Sequence, residues 1–149
     1  MVYPLPAVMV SCGETPEEYN ILTVSWTGTI CSDPPMCYIS VRPGRTSYPI
    51  IKRTGEFVIN LTTEELARAT DWGGCRPGSR YKKWKEMNLT PQASLRVKAP
   101  GIAESPVNIE CVVKQVIPLG THDMFIAEVV GVTADDGFID EKGAFRLAS

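Results

Sequence analysis

Seven runs rich in Val, Ile and Thr, set apart by turns containing Gly, Pro, Asn or Asp, constrain this chain more than any other feature. They are Ala7–Cys12, Asn20–Trp26, Met36–Val41, Glu56–Leu61, Ser94–Lys98, Asn108–Pro118 and Met124–Thr133. β-Branched and aromatic side chains suit a pleated, half-buried surface, so each run predicts a strand. The last two are joined by Leu119-Gly120-Thr121-His122-Asp123, a short polar loop that predicts an antiparallel hairpin. The chain therefore reads as mainly β, and long adjacent strands of this kind suit a barrel.

Helical signals interrupt the pattern. At Arg45-Thr46-Ser47-Tyr48 a hydroxyl is placed to cap a short helix running through Lys52, with Pro49 in its first turn and Gly55 closing it. A second helix is predicted from Thr62 to Ala69, where a hydroxyl and Glu64-Glu65 precede good helix formers. A third turn begins at Ser79 and carries Tyr81, Lys82, Lys83, Trp84 and Met87. No internal repeat, low-complexity tract or proline-rich linker divides the 149 residues, which read as one domain.

Charge excludes several function classes. Fifteen Lys and Arg against 17 Asp and Glu give a net charge of −2, which offers no general attraction to nucleic acid or an anionic membrane. An anion site has to be local. The apolar runs fall short of the roughly 20 residues that span a bilayer, and the start Met1-Val2-Tyr3-Pro4-Leu5-Pro6 lacks the form of a signal peptide, so a cytoplasmic location is expected. Cys12, Cys31, Cys37, Cys75 and Cys111 contain no Cys-x-x-Cys pair, and with a single histidine no zinc site is expected. There is no Gly-x-Ser-x-Gly elbow, no Walker sequence and no Gly-x-Gly-x-x-Gly.

One stretch concentrates groups suited to a flat, phosphorylated ligand. In Asn20 to Thr27, alternation puts Asn20, Leu22, Val24 and Trp26 on one face and Ile21, Thr23, Ser25 and Thr27 on the other, before a turn and the diproline Pro34-Pro35. A hydroxyl-rich face is either solvated or a source of short hydrogen-bond donors. Arg42, Arg45, Thr46 and Ser47 gather before or at the predicted helix start, where free N–H groups and guanidinium forks favour phosphate. A capped helix with solvated arginines is the plainer alternative.

The segment Asn20 to Pro35, together with Arg42-Pro43-Gly44-Arg45-Thr46-Ser47-Tyr48 and Gly55-Glu56-Phe57-Val58-Ile59-Asn60-Leu61, resembles the flavin reductase-like proteins, the flavoredoxin group of FMN-binding split barrels. The resemblance implies a six-stranded antiparallel Greek-key split barrel with short peripheral helices. It implies bound FMN, with Asn20, Thr23, Val24, Ser25 and Trp26 in or beside the cofactor site and Arg42, Arg45, Thr46 and Ser47 at its phosphate. Lys83, or its neighbour Lys82, matches the region of a cationic residue near the flavin, although Gly78-Ser79-Arg80 stands where the family has Ser-Gly-Arg. His122 is similarly placed to a histidine near the flavin in flavoredoxin-like members.

The same resemblance implies a homodimer, with NAD(P)H as a transient donor or a redox protein as partner, and no obligatory side-chain acid or base. Two alternatives stay open: a non-catalytic electron carrier, and a barrel binding module that has lost FMN. The chain reads as short at both ends relative to the family, whose members continue past the position of Ser149 with an aromatic residue close to the flavin.

Overall fold

The structure, a computed structural model, describes residues 7–62, 84 and 89–134. Strands β1 (Val8–Cys12), β2 (Asn20–Val24), β3 (Thr27–Ser32), β4 (Pro35–Val41), β5 (Glu56–Asn60), β8 (Val107–Pro118) and β9 (Asp123–Ala134) form one sheet in the order β2-β1-β5-β8-β9-β4-β3. Every pairing in it is antiparallel. A separate two-stranded ribbon joins β6 (Pro91–Gln92) to β7 (Gly101–Ile102). Neighbours far apart in sequence, β1 with β5 and β4 with β9, give the long-connection pattern of Greek-key type.

The main sheet thus has seven strands where six are expected. The extra strand arises because the chain bends at Ser25 and Trp26 and then continues as β3, which pairs with β4 across a turn at residues 33–34 that the diproline closes. The run Ser94–Lys98 is not a strand, although its Leu and Val suit one. The backbone N–H groups of Leu95 and Arg96 donate to the buried Glu110 carboxylate at 2.9 and 2.6 Å, and that of Lys98 donates to Glu56 at 3.0 Å. Side-chain acceptors satisfy donors that a ladder would otherwise have used.

Strand β1 is buried along its whole length because both faces are covered, which is why it reads as a continuous apolar run. Val8, Val10 and Cys12 enter the barrel core with Leu22, Ile39, Phe57 and Phe125, while Met9 packs outward with Ile21, Trp84, Leu89 and Ile102. Strand β3, at the sheet edge, has no buried residue.

Helix α1 (Ser47–Thr54) lies over β1, β2 and β5 and buries Ile50 and Ile51. Gly55 ends it in the left-handed conformation, φ 70°, with its N–H on the Ile51 carbonyl at 2.8 Å. The helix runs two residues past Lys52, as Thr54 Oγ1 donates to the Ile50 carbonyl at 2.8 Å. The expected hydroxyl cap is absent, because Thr46 already has helical angles and makes no side-chain cap bond. A turn leads in instead: Arg45 N–H donates to the Arg42 carbonyl and Tyr48 N–H to the Arg45 carbonyl, at 3.0 and 3.1 Å. The helix expected from Thr62 and the turn expected from Ser79 lie outside the described residues, apart from Thr62 and Trp84. Among the described residues no helix is long and apolar enough to cross a membrane.

Candidate functional site

Three chain segments meet at one end of the barrel around an open cleft of about 180 Å³. The end of β2 and its bend supply Leu22, Thr23, Val24, Ser25 and Trp26. The end of β4 supplies Ser40, Val41 and Arg42, and the remaining wall is Arg45 and His122. Both faces of the hydroxyl strand reach the cleft because the chain turns at Ser25 and Trp26. Two hydrogen bonds fix that bend: Ser40 N–H donates to the Trp26 carbonyl at 3.0 Å, and the Thr27 side-chain Oγ1 donates to the Tyr38 carbonyl at 2.8 Å.

Two cationic side chains line the cleft. Arg42 is exposed and Arg45 half-buried, and among the described residues no carboxylate lies within ion-pair distance of either. The ion pairs that do form, such as Arg53 with Glu18 and Lys98 with Glu14, lie elsewhere. Burial, and secondarily the Arg42 charge, lower the pKa of the Arg45 guanidinium. Two neighbouring like charges with no counter-charge among the described residues leave a positive potential that an anion would relieve.

Two aromatic rings line the cleft as well. The Trp26 and His122 rings meet with centroids 4.4 Å apart and planes tilted by 45°. His122 sits in the β8–β9 loop, where Gly120 takes φ 123° and Leu119 N–H donates to the His122 carbonyl at 3.0 Å. Its Nδ1 lies 2.9 Å from Thr121 Oγ1. Burial, with the Arg42 charge second, lowers the His122 pKa below its ordinary 6.5, so the ring is neutral at pH 7.

The cleft therefore gathers Thr23, Val24, Ser25, Trp26, Arg42, Arg45 and His122 from the expected set. Asn20 and Ser47 do not line it. Both are buried, and Asn20 Nδ2 donates to Ser47 Oγ at 2.7 Å, tying β2 to the first residue of α1. Thr46 is exposed beside them, and Lys83 lies outside the described residues. The sequence reading missed Leu22, Ser40 and Val41. Ser40 carried a usable signal, a small hydroxyl residue two positions before Arg42 on a strand. Leu22 and Val41 carried none, since apolar strand residues read as core.

A model of the flavin reductase like domain matches residues 1–146. The chain belongs to that family. An uncharacterized protein of Archaeoglobus fulgidus is 31% identical over 141 residues, covering 95% of this chain and 78% of its own. The FMN reductase (NADH) of Rhizobium rhizogenes is 25% identical over 132 residues, covering 79% of this chain and 72% of its own. Among solved structures, the flavoredoxin of Desulfovibrio vulgaris superposes with a TM-score of 0.89 at 28% identity, over 99% of this chain and 79% of that one. The flavin reductase domain described here thus has the split-barrel fold of its relatives, with the cleft formed where β2, β4 and the β8–β9 loop converge.

Proposed function

We propose that this flavin reductase domain binds FMN in the cleft and passes hydride or electrons through it, from a nicotinamide donor or a redox partner. The observation that carries the reading is that one cleft joins two arginines, with no carboxylate in ion-pair distance among the described residues, to a Trp–His ring contact. That donor set fits FMN. Arg42 and Arg45 supply guanidinium forks for a dianionic phosphate. Thr23, Ser25 and Ser40 offer short hydroxyl groups to the polar edge of a flat ring system, and Trp26 with His122 offers ring surface to one of its faces. Asn20 acts from behind, holding Ser47 and with it the first turn of α1 beside the arginines.

When bound, FMN supplies the redox chemistry, and the chain binds, orients and tunes it. The cleft, at about 180 Å³, is smaller than the roughly 300 Å³ at which small-molecule sites begin. A second copy of the chain closing over it, as a homodimer, completes the site in this account. The similarity to an FMN reductase (NADH) supports a nicotinamide donor.

The 28% identity to a flavoredoxin favours a second reading, a carrier that exchanges electrons with another protein and does not turn over NAD(P)H. Anaerobic mixing of the FMN-loaded protein with NADH or NADPH separates the two. Bleaching of the flavin band by either nucleotide supports the reductase. Bleaching by a chemical reductant alone supports the carrier, and failure to load FMN removes both.

A further inference from the structure

We propose that Tyr48 and Asp123, neither of which lines the cleft, are positioning residues that lock its Trp–His contact to its arginine pair. Tyr48 stands one turn into the segment that carries Arg45, held by its own N–H on the Arg45 carbonyl at 3.1 Å. Its Oη donates to Asp123 Oδ2. Asp123 opens β9, pairs in register with Val41 and Pro118, and is followed back along the chain by His122. Arg42 comes directly after Val41. One bonded path therefore runs from Arg45 through Tyr48 and Asp123 to His122, and from there through the 4.4 Å ring contact to Trp26.

The hydroxyl is what needs explaining. The Tyr48 ring already packs edge-on against the buried Phe125, with centroids 5.5 Å apart and planes at 68°, so phenylalanine would serve that packing equally well. Lys52 reinforces the pair from the next turn of α1, its Nζ 3.5 Å from Tyr48 Oη and 5.6 Å from the ring centre. Beyond this path, the imidazole of His122 has only its neighbour Thr121 as a side-chain hydrogen-bond partner among the described residues. A hairpin tip held so lightly keeps one position only if its base is anchored. A phenol–carboxylate bond to the helix that follows Arg45 provides that anchor.

The geometry stands without FMN, while its consequence for flavin affinity rests on the function proposed above, and the test separates the two. His122 is the only histidine in the chain, so its ring proton signal in the protein without flavin is unambiguous. Wild type is expected to show that signal displaced by the Trp26 ring. Tyr48→Phe, which keeps the ring packing, and Asp123→Ala are each expected to move it toward the free-histidine position, and the double variant to move it no further than either single one. FMN affinity should then fall about threefold to tenfold in each variant, the worth of one hydrogen bond. A His122 signal unchanged in a folded Tyr48→Phe, or effects that add in full, overturns the proposal. Displaced signals in a protein that binds no FMN leave the positioning role intact and refute only the flavin reading.

Discussion

Trp26 and His122, far apart in the chain, meet with ring centroids 4.4 Å apart and bring the bend after β2 against the tip of the β8–β9 hairpin. Neither ring is needed to fill the barrel core, since Trp26 is 38% exposed and His122 half-buried. Their contact shapes the cleft. Trp26→Ala should therefore weaken FMN binding by at least the roughly 0.5–1.5 kcal/mol of an aromatic pair while leaving the thermal unfolding midpoint close to wild type. Flavin titration and a melting curve on the same sample check both halves.

The arginine pair should discriminate by phosphate. Loss of a charge-assisted bond costs about 1.5–3 kcal/mol, so Arg45→Ala should weaken FMN binding roughly tenfold or more. Riboflavin, which lacks the phosphate, should bind wild type and variant alike. Equal losses for both flavins would place the phosphate elsewhere.

The depressed His122 pKa has a definite sign. The folded state binds fewer protons at this ring than the unfolded chain, whose imidazole titrates near 6.5. The contribution to stability is complete above about 6.5 and is lost as pH falls through the lower folded value. Arg42→Gln removes the secondary cause and should raise the His122 pKa part of the way back, with the burial contribution remaining. Histidine ring proton shifts followed against pH read this directly. A pKa that stays put in the variant would show that Arg42 does not act on the ring.

Glu110 tests the segment that failed to become a strand. Its buried carboxylate accepts from Leu95 and Arg96, and Glu110→Ala should cost about 2 kcal/mol of stability, the penalty of stranding such donors. FMN affinity should not change, because Glu110 does not line the cleft. Chemical denaturation with and without FMN gives both numbers.

Cys37 and Cys111 bring their sulfurs to 3.6 Å over the small Ala127, and the bond from Cys111 lowers the Cys37 pKa while pushing that of Cys111 up. They are not placed to form a disulfide. Strand β9 lies between them, Cys37 pairing with Ala127 and Cys111 with Val129. Two interstrand steps of about 4.8 Å put the α-carbons beyond the roughly 7 Å that a disulfide spans. Oxidant treatment followed by peptide mass mapping should find no link between residues 37 and 111. Such a link would show that the barrel shears there.

How far these features were legible in the sequence depends on the range of the interaction that decides each. Strands whose side chains meet a core, such as Phe57-Val58-Ile59 and Phe125-Ile126-Ala127, carry their own pattern, and Gly55 marks the end of α1 by its backbone freedom. Arg42, Arg45 and the hydroxyl strand were visible as residue types suited to an anion. Other outcomes turn on partners far away in the chain. Leu95 and Arg96 lose their strand to Glu110, Ser47 gives up its capping role to Asn20, and Tyr48 and Asp123 acquire meaning only when 75 residues of chain bring them together. Local propensity contains no term for such contacts.

Flavin retention tests the proposed FMN site most directly. Purified protein is mixed with FMN or with riboflavin, desalted, and its visible absorption spectrum read against protein concentration. Flavin bands should be retained with FMN and largely lost with riboflavin, because Arg42 and Arg45 hold the phosphate. A colourless protein after both treatments, or equal retention of the two flavins, would contradict it.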